Sequence, residues 1–283
     1  MNLRPIIVSA AVLALVACDD GAKGTPAPTA KPSATPKTTA MATATTATTA
    51  PKPDEEAGVF FQIPADGAQV FQTFDVLVSM PEGLDLEAAA KGDEAASIVV
   101  LTLAEPLKAG ETPPEGAKAF PVSMEGDHTA AVELEKAGEQ KLTVQILDGE
   151  GKAWKPELAE TITVTAVAVP DPLAVEWLEP KDGAKVKSPV KMKFGVKGME
   201  VVPAGKDPKS RVTGHHHVLI GKESHPFGKV IPADEKHKHF GKGQTEAELE
   251  LPKGEHTLAL QFADGTHASY GERMAATITI TVE

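Results

Sequence analysis

The folded part of this chain is written twice. Pro64-Ala65-Asp66-Gly67-Ala68-Gln69-Val70 matches Pro180-Lys181-Asp182-Gly183-Ala184-Lys185-Val186 at an offset of 116 residues. The same offset aligns 138–145 with 254–261, Asp148-Gly149 with Asp264-Gly265, and 161–165 with 277–281. Four anchors at one offset restrict the chain to folds in which one unit of roughly 110 residues closes on its own and is then repeated. The division is expected at Val169-Pro170-Asp171-Pro172, a stiff proline-containing hinge at 169–172 between a unit at 59–168 and a unit at 173–283.

Within each copy apolar and polar residues alternate with period two. Val190-Lys191-Met192-Lys193-Phe194, Glu246-Ala247-Glu248-Leu249-Glu250-Leu251 and Thr277-Ile278-Thr279-Ile280-Thr281-Val282 read as strands with one face buried. Pro-X-Asp-Gly and Pro-Lys-Gly-Glu supply turns between them. The one helical candidate is short, Asp85 to Lys91. About seven short strands per copy predict an all-β chain of two tandem immunoglobulin-like β-sandwich domains. With aromatic residues at only 4%, the cores are expected to be built from Val, Ile, Leu and Ala.

Ahead of the repeats lies a different kind of sequence. A short n-region with Arg4 precedes an apolar run from Ile6 to Ala17, too short for a stable bilayer-spanning helix. It ends in Leu15-Val16-Ala17-Cys18, which resembles a bacterial lipobox. That resemblance implies a signal peptide at 1–17 and lipidation of Cys18, which becomes the first residue of an exported, membrane-anchored protein. Asp19 resembles an inner-membrane retention signal of enteric bacteria, and the choice of membrane stays open. Residues 18–58 then read as the lipidated Cys followed by a disordered Ala/Thr/Pro linker, a tether with too little apolar content to offset its ordering entropy. Cys18 is the single Cys. No disulfide, thiolate ligand or cysteine nucleophile is therefore expected in the folded part.

The charges divide between the copies. Residues 59–172 hold 7 Lys+Arg against 20 Asp+Glu, whereas residues 173–283 hold 16 against 15. The first unit is acidic, and neither carries the basic excess that phosphate neutralisation demands, so nucleic-acid binding is not expected. No phosphate loop, nucleophile elbow or helix-borne His-Glu pair occurs, and Ser224-His225 are mere neighbours in a loop, so an enzyme is not expected.

Eight of the nine histidines fall in the second copy, so the repeat acts as an internal control: the fold does not need them. His215, His216 and His217 are consecutive, and His237 and His239 form a His-X-His pair. Neutral imidazole is a ready ligand for borderline divalent ions. Alternation puts His215 and His217 on one face of a strand and His216 on the other. His237 and His239 share a face if their segment is extended. Two such pairs on adjacent strands, about 4.8 Å apart, could converge on one Zn or Cu ion. The candidate metal set is therefore His215, His217, His237 and His239, with His216, His225 and Asp234 as additional ligands or orienting neighbours. Blander readings stand beside this one. The triple histidine could be partnered by backbone and carboxylates, and His237-Lys238-His239 could be a solvated turn. His225, His256 and His267 read individually as surface or hydrogen-bonded residues.

The motifs Thr213-Gly214-His215-His216-His217-Val218-Leu219-Ile220, Ile231-Pro232-Ala233-Asp234, His237-Lys238-His239-Phe240-Gly241-Lys242-Gly243-Gln244-Thr245-Glu246 and Leu251-Pro252-Lys253-Gly254-Glu255-His256-Thr257-Leu258 resemble a bacterial family, the domain of unknown function 4399. The likeness spans residues 173–283 and reaches 59–168 only through the repeat, as a degenerate copy. It implies a small exported protein and no particular reaction. The chain thus reads as an envelope lipoprotein, periplasmic or outer-surface, whose C-terminal domain binds a divalent transition metal. The alternative is a non-catalytic tandem sandwich that engages an envelope protein or other component without metal.

Overall fold

The structure, a computed structural model, describes residues 58–92 and 94–283. The expected signal peptide, the expected lipidation site Cys18 and the expected linker through Ala57 lie outside the described residues. Among the described residues no helix is long and apolar enough to cross a membrane.

The first copy contains β1 (Phe60–Ile63), β2 (Ala68–Phe71), β3 (Thr73–Ser79), β4 (Ser97–Leu101), β5 (Ala119–Pro121), β6 (Thr129–Glu133), β7 (Gly138–Leu147), β8 (Ala153–Trp154) and β9 (Glu160–Val167). The second contains β10 (Ala174–Glu179), β11 (Lys185–Val186), β12 (Val190–Lys197), β13 (Glu200–Val201), β14 (Thr213–Ile220), β15 (His237–His239), β16 (Glu246–Leu249), β17 (Gly254–Ala263) and β18 (Ala275–Val282). Each copy stacks a three-stranded sheet on a six-stranded one: β1-β3-β6 on β2-β9-β7-β4-β5 with β8 joined to β7, and β10-β12-β16 on β11-β18-β17-β14-β13 with β15 joined to β14. These are two sandwiches with Ig-like layering. The expected helix at Asp85–Lys91 is a single 3-10 turn, Glu87–Ala89, whose N-terminal amides donate to Asp85 Oδ1.

The repeat extends to individual hydrogen bonds. Gln69 pairs with Thr165 in the parallel β2–β9 ladder, as Lys185 pairs with Thr281 in β11–β18. Both Pro-X-Asp-Gly segments make the same turn. Asp66 Oδ1 accepts the Thr163 amide at 2.8 Å, and Asp182 Oδ1 accepts the Thr279 amide at 2.7 Å. Gly67 and Gly183 follow at φ +77° and +73°, a region that L side chains enter only at a cost. The cores are largely aliphatic, as period-two burial demands. Val76, Ile98, Val100, Leu142, Val144 and Val164 fill the first. In the second, Met192, Leu258, Leu260, Ile278 and Ile280 surround Phe194 and Phe262.

One register departs from the offset of 116. Val99 pairs with Gln145 across β4–β7, and His217 with Gln261 across β14–β17. Gln145 and Gln261 are 116 apart, so His217 corresponds to Val99 at an offset of 118. On the edge, Val99 pairs with Pro121 and His217 with His239. His215, His216 and His217 thus replace Ser97, Ile98 and Val99, and His239 replaces Pro121.

The sandwiches touch. The Arg211 amide donates to the Gln69 carbonyl at 2.8 Å, Arg273 Nη1 lies 3.1 Å from Asp75 Oδ2, and Lys229 Nζ lies 2.8 Å from Asp127 Oδ1.

Candidate metal centre

β14 is buried along both faces, and its triple histidine divides between them. His216 faces the inter-sheet core, with its ring 4.9 Å from Phe194 and 5.0 Å from Phe262. Burial pulls its pKa down to about 4, opposed by nearby backbone of Gly195 and Gln244. Neither ring nitrogen makes a hydrogen bond of ordinary geometry.

His215 and His217 point the other way, onto the outer face of the six-stranded sheet. There they meet His239 from β15 and His267 from the turn that follows β17. Ring centroids lie 4.9 Å apart for His215–His217, 5.0 Å for His215–His239, 5.1 Å for His215–His267 and 4.8 Å for His239–His267. One ligand atom from each of His215, His239 and His267 falls within 4.8 Å of the others. His217 sits behind them, its Nε2 3.0 Å from that of His215. His239 is exposed and His267 half-buried, so this group of rings opens to solvent on one side.

Burial and crowding disfavour the charged form of His215, His217 and His239. Burial first, then the neighbouring imidazoles, lowers His215 to about 3 and His217 to about 2. His239 is lowered by burial and by His267. Four close imidazoles cannot all protonate, and a neutral imidazole keeps one nitrogen lone pair available at any ordinary pH. The Nδ1 atoms of His215 and His217 are buried without hydrogen-bond partners. Such an atom forfeits about 1–3 kcal/mol, and an ion at the site is one of the explanations it invites.

His267 owes its place to backbone. Asp264 Oδ1 accepts from the amides of Thr266 and Ala268 at 2.8 and 2.9 Å and from Thr266 Oγ1 at 2.7 Å. Asp148 builds the same turn in the first copy, accepting the amides of Glu150 and Lys152 at 3.0 and 2.9 Å. At the third turn position the first copy has Gly151 at φ +74°, and the second has His267 at φ +70°. A side chain stands where the repeat uses glycine, so local backbone strain accompanies the ring's placement. Asp264 is anchored in turn by Arg211, whose Nη1 donates to Oδ2 in a buried pair. The guanidinium carbon of Arg211 lies 4.2 Å from the Tyr270 ring centroid. Glycine matters once more under His239. A Cβ at Gly241 would come within 2.2 Å of His239 Nε2, so a side chain there would push that ring from its place.

The expected set His215, His217, His237 and His239 is not the set brought together. β15 runs antiparallel to β14 with His239 opposite His217, which leaves His237 opposite Leu219, two residues along. His237 is buried beside His225, at a centroid distance of 6.1 Å, and its Nδ1 lies 2.7 Å from Asp234 Oδ1. His225 is half-buried, and burial lowers its pKa. His256 is elsewhere, 2.8 Å from the Pro252 carbonyl. The residue that sequence reasoning passed over is His267. Extending the Asp148-Gly149/Asp264-Gly265 match by two residues sets it against Gly151, and that was the available signal.

Residues 192–283 match the family described as Domain of unknown function (DUF4399). The match begins inside β12, so β10 and β11 fall outside it, although the likeness read from sequence ran from 173. No curated protein matches the chain. Among solved structures, the fibronectin(III)-like modules of CbhA from Clostridium thermocellum are 14% identical, covering 80% of this chain and 94% of theirs at a TM-score of 0.29. A putative membrane anchored protein from Corynebacterium diphtheriae is 14% identical, covering 80% and 53% at 0.22. A SusE-like surface located polysaccharide binding protein from the Bacteroides thetaiotaomicron heparin utilisation locus is 13% identical, covering 80% and 34% at 0.25. Likeness at this level carries no argument about what the chain does.

Proposed function

We propose that this protein is an exported lipoprotein, tethered through Cys18 and the 18–58 linker, whose second sandwich binds a divalent transition ion, Zn(II) or Cu(II), through His215, His239 and His267. The observation that carries the reading is the close approach of three imidazole ligand atoms, within 4.8 Å of one another, on a face where the companion sandwich has Ser97, Pro121 and Gly151. In tetrahedral coordination, metal–nitrogen bonds of about 2.0–2.1 Å put neighbouring nitrogens about 3.3 Å apart. Small ring rotations would close the group to that size. An all-imidazole donor set suits Zn and Cu. Three protein nitrogens leave a fourth position for water or an incoming donor, or for His217. The role is binding rather than catalysis: the site serves to hold an ion, or a ligand through the ion.

The test is thermal unfolding of the full mature chain with and without each ion. Binding to the native state raises stability by about 2.7 kcal/mol at a hundredfold excess over Kd. H239A and H267A are expected to abolish that gain. No gain in the wild type, or an equal gain in both variants, overturns the reading in favour of a metal-independent interaction module.

A further inference from the structure

The second histidine group lies outside the site just described. We propose that His225 and His237, oriented by Asp234, form a second and weaker binding site for a divalent transition ion on the same sheet face. The proposal takes the class of ion from the metal-binding reading above, but it stands on different residues.

The argument begins with a proton. Asp234 Oδ1 accepts the backbone amides of Lys236 and His237 at 2.8 and 3.1 Å and lies 2.7 Å from His237 Nδ1. An ionised carboxylate can only accept, so Nδ1 carries a proton, and the tautomer this selects for a neutral ring has its lone pair at Nε2. That nitrogen is buried and has no partner, on a side chain only 5% exposed. A carboxylate on one imidazole nitrogen with the other left open is the arrangement that orients metal-bound histidines.

The second nitrogen comes from His225. With metal–nitrogen bonds of about 2.0–2.1 Å and about 1.2 Å from each nitrogen to its ring centre, two imidazoles on one ion have centroids roughly 5–6.5 Å apart. The observed separation is 6.1 Å. His225 is pinned by its backbone: its amide donates to Gln261 Oε1 at 3.0 Å, and its carbonyl accepts from Ser269 Oγ at 2.9 Å. The first sandwich repeats the first of these bonds, with the Leu107 amide donating to Gln145 Oε1 at 3.0 Å. It therefore has Leu107 where the second has His225. Across the β4–β5 ladder Ala119 faces Leu101, as His237 faces Leu219. The fold closes with leucine and alanine at these positions, so the pair is free to serve a ligand. Two protein nitrogens leave the other coordination positions to water or to a donor on an incoming molecule, hence the weaker affinity.

H225L and H237A restore the first sandwich's own residues, so both variants are expected to fold. The experiment counts bound Zn(II) and Cu(II) by calorimetric titration of the full mature chain, with metal-free thermal unfolding as a folding control. The wild type is expected to take two equivalents. H225L and H237A should each lose the weaker one, and H239A the tighter one. If H225L and H237A keep the wild-type count and affinities while H239A loses its ion, the pair is not a site and the three-histidine reading stands. If the wild type takes one ion that H237A loses and H239A keeps, the pair is a site and the three-histidine reading falls. A wild type that takes no ion overturns both.

Discussion

On the outer face of its six-stranded sheet the first sandwich carries Val99, Leu101, Leu107, Leu147 and Ala153, a small apolar cluster apart from the main core. The shared registers put His217, Leu219, His225, Ala263 and Ser269 at the same places in the second. Topology, turns and most of the inter-sheet core match, with His216 in place of Ile98 as the exception there, and this face does not. The fold is therefore held by what lies between the sheets, and the outer face can change its chemistry without changing the chain path. Ala263 in place of Leu147 leaves less side-chain volume beside His215, its cross-strand partner. The exchange forfeits about 1.5–3 kcal/mol for a buried leucine and leaves ring nitrogens unpartnered. Losses concentrated on one face are expected where a structure trades stability for a site.

The largest expected difference between the copies lies beneath the histidines. Asp148 and Asp264 build the same turn, but Asp264 also pairs with the buried Arg211. D148A should cost about 1 kcal/mol, the net value of its hydrogen bonds. D264A should cost about 3–5 kcal/mol, because it strands a buried guanidinium. Urea denaturation of the full chain measures both, and equal costs would show that the arginine contributes nothing.

Acid should separate the copies next. In the metal-free protein His215, His216 and His217 titrate at about 3, 4 and 2, far below the value near 6.5 of an unfolded chain. Their contribution is complete above pH 6.5. Below it the unfolded state takes up protons that the folded state refuses, and stability falls by about 1.4 kcal/mol per pH unit for each ring. The second sandwich should weaken between pH 6.5 and 5 while the first holds. Trp177, in the second core, reports this in a W154F background. Parallel losses in both copies would refute the neutral cluster.

The smallest effect concerns His267. H267G restores the residue that the first copy uses at φ +74°. Relief of backbone strain, less the entropy that glycine adds to the unfolded chain, should stabilise the metal-free protein by about 0.5–1 kcal/mol. A destabilised H267G would mean that the turn carries no strain.

Much of this was legible beforehand. Period-two alternation identified the strands and separated His216 from its neighbours, and the Pro-X-Asp-Gly repeat fixed the two-sandwich plan. The register of β15 on β14 was not legible. It is set by the path from Gly221 to Lys236, where no residue pattern forces His239 rather than His237 opposite His217. The Arg211–Asp264 pair was also out of reach, because it joins residues 53 apart through tertiary contact alone. His267 was within reach, since the neighbouring Asp-Gly match already pointed at its turn.

The matched turns have a consequence for engineering. Every backbone position that holds an imidazole of the three-histidine group has a counterpart of the same conformation or register in the acidic copy: Ser97, Pro121 and Gly151. The arrangement belongs to the scaffold rather than to one copy of it. The molecule carries its own blank template, onto which the site could be transcribed residue by residue once the leucine at 147 gives way.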